Sequence, residues 1–161
     1  MISFSIFSNE EIEEVITTGT LLKESKSKFS PVEIITAEKF DEIGVSTIAE
    51  ISKYLSASSG SHFQTNTMDG VDQGMSAITL RGLDHASTLL LINSKRQTFT
   101  GTPSYNGEGY VDANIIPKIA LTKMEVLKEG ATSVYGSDAV AGVINFITVK
   151  KFSGYKLDLD S

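Results

Sequence analysis

One stretch in the C-terminal half restricts the possible folds of this chain more than any other feature. Residues 122–148 read TKMEVLKEGATSVYGSDAVAGVINFIT. Two strand-like runs, KMEVL and VINFIT, flank a connection of small residues that contains Gly130, Gly136 and Gly142. Because small side chains and glycines let a backbone approach its neighbours closely, we expect tight turns that lie flat beside a sheet.

The connection predicts two short turns. Residues 131–135 can form one helical turn that Gly136 closes in the left-handed conformation. Ser137 or Asp138 can cap a second turn, which Gly142 closes. The single tyrosine of the connection can anchor both turns through its ring and offer its hydroxyl to a polar partner. A compact link between two strands explains this pattern without any catalytic role.

The remaining pattern predicts an α+β fold with a small mixed β-sheet, short flanking helices and long loops. β-Branched and apolar runs indicate strands, and apolar residues at helical spacing after a capping residue indicate helices. The expected elements, in order, are a strand Val32–Thr36, a helix over 37–43 ended by Gly44, a helix capped by Ser46, strands Ile78–Gly82 and Ser87–Asn93, a turn at Asn93-Ser94 with a return strand KRQTF, a helix in NIIPKIAL, and strands KMEVL and VINFITV.

Three segments fit no regular element. Residues 61–77 and 100–113 are long polar loops, and loops of more than about 12–15 residues are often functional or mobile. Residues 1–30 hold the β-prone run VITTGT between an acidic run and a stretch rich in Lys and Ser. We expect this segment to be flexible with one extended portion, followed by a domain over residues 31–154 and a terminal stretch over 155–161.

Composition excludes several classes of function. The chain has 161 residues and no cysteine, so it can form one domain without disulfides or thiolate metal sites. Its net charge of −6 argues against nucleic-acid binding, which needs a basic surface. The two histidines lack metal-binding spacing, and no nucleophile elbow or phosphate-binding loop occurs. We therefore expect a protein that is not an enzyme and that holds no metal or cofactor.

The chain shows no pattern of a membrane helix or a leader. No apolar run approaches the ~18 residues that a membrane helix needs. The N-terminal MISFSIFS is short, and no Lys or Arg precedes it, so no signal peptide is expected in this sequence.

The stretch that restricts the fold also carries a resemblance. It closely resembles the last motif in the plug domain of TonB-dependent outer-membrane receptors. The residues that fall on the motif without a gap are Glu125, Val126, Leu127, Lys128, Gly130, Tyr135, Gly136, Ala139, Gly142, Val143, Ile144 and Asn145.

Other runs extend this resemblance over about residues 31–154. ITLRGL matches a family run through Arg81 and Gly82, and LLLINSKR matches another, with Ser94 where the family usually has Gly. VDANIIPKIALTKMEVL is similar to the approach to the last motif, with Lys123 in place of a frequent Arg. The run from Ser30 to Leu55 resembles the first strand and the two helices of the plug.

The resemblance implies a transport function. In this family the plug fills the lumen of a large β-barrel, ligand binds at the outer face, and energy delivered by TonB rearranges the plug without bond chemistry. A plugged barrel needs roughly 22 strands of about 9–11 residues each. We therefore expect this chain to lack the barrel, with residues 155–161 as the beginning of it or as a tail, and we expect the receptor in the bacterial outer membrane.

The N-terminal segment then acquires an interpretation. EEVITTGT resembles the TonB box, and the residues expected to bind the TonB C-terminal domain are Glu14, Val15, Ile16, Thr17 and Thr18. A short β-prone run that is unfolded alone can add as a strand to the sheet edge of a partner. The alternative is a disordered leader with a chance Val-Ile pair.

The resemblance also implies further contact residues. Arg81 and Glu125 are expected to contact the barrel, and the alternative for each is a solvated charge on a strand. The two long loops would meet the transported small ligand. The polar and aromatic groups that they offer are His62, Gln64, Asn66, Tyr105, Asn106 and Tyr110.

Two other interpretations stay open at this point. The chain could be a free-standing soluble ligand-binding module built on the plug fold, or a fragment without function. Receptors for iron-siderophores, cobalamin, haem and oligosaccharides share this plug, and nothing in the loops identifies one ligand class.

Overall fold

The fold is a mixed β-sheet with short helices on its faces, in agreement with the predicted α+β class. The structure, a computed structural model, describes residues 32–58, 76–101, 103, 107–128 and 131–151. Among these residues the sheet has five strands in the order β1-β4-β5-β2-β3. The strands are β1 Val32–Thr36, β2 Thr88–Ile92, β3 Lys95–Arg96, β4 Leu121–Leu127 and β5 Gly142–Thr148.

Strand pairing places the predicted strands KMEVL and VINFIT at the centre of the sheet. β4 pairs antiparallel with β1 on one side and with β5 on the other. β5 pairs parallel with β2, which forms an antiparallel hairpin with β3. The described part of the chain lies within the predicted domain 31–154, whose boundaries stay a prediction.

The first helix follows the sequence prediction and the second differs in type. The helix α1, Ala37–Ile43, ends at Gly44, whose φ of 71° is the left-handed stop that the sequence predicts. Ile48–Lys53 is a 3₁₀ helix. It begins after Thr47 rather than Ser46, and the Glu50 carboxylate accepts the backbone N–H of Thr47 at 3.4 Å, as in a capping box.

The predicted strand Ile78–Gly82 is wrong. Residues 76–80 are buried but irregular, because their backbone bonds to groups outside the sheet ladder. The Leu80 N–H donates to Thr88 Oγ1 at 3.1 Å, and the Arg81 N–H donates to the Ala57 carbonyl at 2.6 Å. Positive φ angles at Arg81 (58°) and Gly82 (67°) then turn the chain away.

The predicted helix in NIIPKIAL is also wrong. Two 3₁₀ turns, Ala113–Ile115 and Lys118–Ala120, replace it. Pro117 lies between them and disfavours helical backbone at the residue before it.

The β2–β3 hairpin has the predicted turn. Asn93 and Ser94 both have positive φ, 49° and 65°. This is the arrangement of a two-residue hairpin with a primed turn, in which glycine would be the less strained second residue. The return strand is Lys95–Arg96, shorter than the predicted KRQTF.

The sheet buries both of its faces. Alternate residues of β4 and β5, Met124 and Val126 with Ile144 and Phe146, point into the larger core with Phe40 and the 3₁₀ helix. The residues on the other face form a smaller cluster: Leu89, Leu91, Leu127 and Val143 with Ala131, Tyr135 and Ala139. No helix in the described ranges is long and apolar enough to cross a membrane.

Candidate functional site

The connection between β4 and β5 covers the face of the sheet that carries the smaller cluster. Residues 131–141 of this connection are called the cover segment. It contains the helix α2, Thr132–Tyr135, and a 3₁₀ turn, Ser137–Ala139. The two predicted turns against the sheet are thus confirmed. Gly136 has the expected positive φ of 85°, but its ψ of −170° is extended rather than left-handed helical.

Gly142 begins β5 where the cover segment meets the sheet. Its φ is 141°, and a Cβ built there would lie 2.6 Å from the Leu127 carbonyl oxygen. Real Cβ atoms do not approach a carbonyl so closely, so this position requires glycine. The close approach is the physical reason for the last glycine of the motif.

A side chain from β3 reaches over the cover segment. Arg96 Nη1 donates to Asp138 Oδ2 at 2.7 Å, and Arg96 Nη2 donates to the Tyr135 carbonyl. Arg96 and Asp138 are each about half exposed, at 49% and 46% of their side-chain surface. The guanidinium therefore joins both turns of the cover segment to the hairpin at the far edge of the sheet.

A charged side chain lies buried between the cover segment and the sheet. Glu125 on β4 has no exposed surface, and its Oε1 lies 3.1 Å from Lys123 Nζ. Asn145, its register partner on β5, is also fully buried. The Asn145 Oδ1 accepts the Ser94 N–H at 2.9 Å, so the hairpin turn is fastened to this buried polar group.

Tyr135 of the cover segment packs against the sheet on the same side as Glu125. Burial raises the pKa of Tyr135 above its ordinary value of 10.0, and the charge of Glu125 raises that pKa further. The neutral phenol is therefore the favoured form beside the buried carboxylate. The cover segment keeps water away from a carboxylate that a sheet alone would expose.

A cleft of about 550 Å³ borders the cover segment. The described residues that line it are Arg81, Leu83, Lys128, Ala131, Thr132, Ala139 and Val140. The Arg81 guanidinium donates to the Lys128 carbonyl at 3.4 Å. The cleft lies where β1 begins, because Val32 pairs with Leu127 and Lys128 Nζ lies 2.6 Å from Glu33 Oε2.

The predicted barrel contacts lie in different environments. Arg81 is exposed at the rim of the cleft. Glu125 is buried under the cover segment, so it is not a solvated strand charge, and in this arrangement its carboxylate is reached from outside only if that segment moves. Contact of either residue with a barrel stays a prediction.

Most predicted ligand and TonB residues fall outside the described ranges. This applies to Glu14, Val15, Ile16, Thr17, Thr18, His62, Gln64, Asn66, Tyr105 and Asn106. Tyr110 is described and is 2% exposed, with its ring centroid 6.1 Å from that of His85. In this conformation Tyr110 packs inside the domain and offers no surface to a ligand.

Sequence reasoning missed three residues of the site: Lys123, Asn145 and Arg96. Asn145 interrupts the apolar run VINFIT, and a polar residue inside a buried strand is a signal that could have indicated a buried contact. Arg96 has no such signal, because its partners lie 39 and 42 residues away in the chain.

Three comparisons with known proteins agree with this fold. The profile of the "TonB-dependent Receptor Plug Domain" matches residues 25–143. The "Probable TonB-dependent siderophore receptor PirA" of Acinetobacter baumannii is 31% identical over 123 residues, which are 74% of this chain and 16% of that protein. The "Vitamin B12 transporter BtuB" of Photobacterium profundum is 27% identical over 134 residues, 83% of this chain and 20% of that protein.

The solved structures lead to the same family. A mutant of the ferric enterobactin receptor PfeA from Pseudomonas aeruginosa superposes with a TM-score of 0.60 at 26% identity, over 84% of this chain and 19% of that one. The chain thus spans about a fifth or less of the length of the proteins that it matches. The matched profile covers well over half of the chain, and the chain belongs to the family of TonB-dependent receptor plug domains.

Proposed function

We propose that this chain acts as the plug of a TonB-dependent receptor in the bacterial outer membrane and gates the energy-coupled uptake of a small ligand. The observation that carries the proposal is the match of the plug profile to residues 25–143, together with the plug fold of the described residues. The relatives are named as receptors and transporters, which fits a protein without catalytic chemistry. Their names include a siderophore receptor and a vitamin B12 transporter. The proposed ligand is therefore a small molecule of one of these two kinds.

The position of β1 supports coupling through the N-terminal segment. β1 lies at the edge of the sheet and pairs only with β4 in the described structure. The segment that holds Glu14–Thr18 precedes β1, so a pull on it acts first on the pair Val32 and Leu127.

An ion pair near the beginning of β1 helps to hold this strand to β4. Lys128 Nζ lies 2.6 Å from Glu33 Oε2 and donates to Ser56 Oγ at the same distance. Lys128 and Glu33 are about one third exposed, so their pair is individually weak. Such a fastening suits a strand that must stay paired at rest and separate under load.

The predicted contact residues have separate roles in this proposal. Arg81, at the rim of the cleft, faces an acidic group of the barrel wall. Glu125 contacts the barrel wall when the cover segment moves. The loop residues His62, Gln64, Asn66, Tyr105 and Asn106 contact the ligand at the outer face.

A plug exchange tests this function in cells. Residues 25–143 replace the matching plug region of a siderophore receptor relative, and uptake of its labelled ferric siderophore is measured with and without TonB. We expect uptake that needs both TonB and the exchanged plug. Uptake equal to that of the same barrel with its plug deleted, from a receptor that assembles normally, would count against a gating role.

A further inference from the structure

The described hydrogen bonds hold the cover segment to the rest of the domain at its last residue and at its middle. Its last residue, Ala141, donates its N–H to the Ser87 carbonyl at 2.9 Å, and Gly142 then enters β5. Its middle is held by Arg96, which bonds to the Tyr135 carbonyl and to Asp138. On its inner side Ala131, Tyr135 and Ala139 pack against the cluster of leucines and valines.

The bonds within the cover segment are local, so it can move as one piece. The N–H groups of Val134, Tyr135 and Gly136 donate to carbonyls of residues 131 and 132. Gly136 joins the two turns at a positive φ that most residues avoid. Lifting the segment from the sheet therefore breaks few of its own hydrogen bonds.

The groups beneath the cover segment give a reason for it to open. A carboxylate without exposed surface is costly to bury even when it is paired, and Glu125 lies here beside Lys123 and Asn145. Admitting water to these groups offsets part of the cost of separating the apolar contacts. A contact outside the apolar cluster is therefore expected to help keep the cover segment against the sheet.

We propose that Arg96 is a positioning residue that clasps the cover segment, residues 131–141, over the buried Glu125–Lys123 pair, and that loss of this clasp lets the segment open while the rest of the domain stays folded. The proposal concerns the chain itself and does not depend on the receptor function. β3 leads directly into residues 97–101, so the clasp also connects the start of that loop to the cover segment.

Thiol labelling can test the clasp because the natural chain has no cysteine. Ala139→Cys places a reporter on the side of the cover segment that faces the sheet, where Ala139 is 1% exposed. Ala113→Cys places a matched reporter in the larger core, where Ala113 is 0% exposed. The labelling rate of each reporter by a thiol reagent is measured in the full chain with Arg96, with Arg96→Gln, with Arg96→Lys and with Lys95→Gln.

We expect Arg96→Gln to increase the labelling rate at Ala139→Cys about tenfold, the factor that corresponds to one charge-assisted hydrogen bond. Arg96→Lys should recover part of the protection, because an ammonium can still reach one partner. Lys95→Gln removes the same charge from the neighbouring position and should leave the rate unchanged. The rate at Ala113→Cys should stay within about twofold in every background.

Two results would overturn the proposal. An unchanged rate at Ala139→Cys shows that Arg96 does not clasp the segment, and equal acceleration at both reporters shows that the whole domain unfolds instead. Hydrogen exchange of the cysteine-free chain provides a second readout if a reporter variant does not fold. Arg96→Gln should then speed exchange in residues 131–141 and leave β4 unchanged, and uniform acceleration contradicts the clasp.

Discussion

Lys123 Nζ lies 3.1 Å from Glu125 Oε1 on the same face of β4, and Glu125 has no exposed surface while Lys123 keeps 13% of its own. The pair places the Glu125 carboxylate inside the sheet beside the Lys123 ammonium of the same strand. Removal of one partner from such a pair leaves the other charge buried and uncompensated, and this is more costly than loss of the pair as a whole.

Replacing the cation should therefore destabilise the domain strongly. We expect Lys123→Met to lower the free energy of unfolding by about 3 kcal/mol, measured by urea titration. The double variant with Glu125→Gln should be more stable than Lys123→Met alone, because it removes the uncompensated charge. A double variant that is less stable than both single variants would show that the two side chains act independently.

Gly142 lies at a position of the motif where a side chain would meet the backbone. Gly142→Ala should lower the free energy of unfolding by about 3 kcal/mol, since its Cβ would collide with the Leu127 carbonyl and lie in a strained backbone region. Gly44→Ala is the control, because it has a positive φ of 71° but nothing within 4 Å of the added atom. We expect it to cost about 1 kcal/mol, and equal losses at the two sites would exclude the collision.

The tyrosine over Glu125 predicts a pH dependence at the alkaline end. Because burial and Glu125 raise the pKa of Tyr135 in the folded chain, the unfolded chain loses this proton first. Near and above about pH 10 the folded state therefore keeps more of this proton than the unfolded state does. The free energy of unfolding consequently falls as the pH rises through this range. Tyr135→Phe should show a shallower fall between pH 9 and 11 than the natural chain in urea titrations, and parallel curves would contradict the shift.

The ion pair at the beginning of β1 should control how easily this strand separates. Lys128→Met removes the ion-pair partner of Glu33 and should speed hydrogen exchange of the β1 amides by about twofold, because a pair that is about one third exposed is worth about 0.5 kcal/mol. Lys95→Met removes a cation from the opposite edge strand and serves as the control. If both variants speed exchange in β1 alike, the effect comes from net charge and not from the pair.

The parts of the fold with local signals could be predicted from the sequence. The left-handed stop at Gly44, the Asn93-Ser94 turn and the two turns of the cover segment follow from residue types at fixed spacing. Ile78–Gly82 was predicted as a strand because it is apolar and short. Its hydrogen bond to the Thr88 hydroxyl, which keeps it out of the ladder, depends on tertiary contact and has no local signal.

The residues of the candidate site also differ in whether a local sequence signal could predict them. Glu125 could be singled out from its motif, but its burial depends on a segment that folds over it later in the chain. The partners of Arg96 depend on how the hairpin and the cover segment meet, which periodicity does not encode. The position of Tyr110 in a long loop predicts a ligand surface, yet its side chain is buried in the described structure and packs near His85.

The binding of the TonB C-terminal domain is the measurement that tests the account most directly. Isothermal titration calorimetry compares the natural chain with Val15→Pro, which removes a backbone donor from the proposed added strand, and with Ser27→Pro, which lies outside the predicted box. We predict binding by the natural chain and by Ser27→Pro, and loss of binding with Val15→Pro. Binding that Val15→Pro leaves intact, or no binding by the natural chain, would contradict the role of residues 14–18 as the TonB box of this plug.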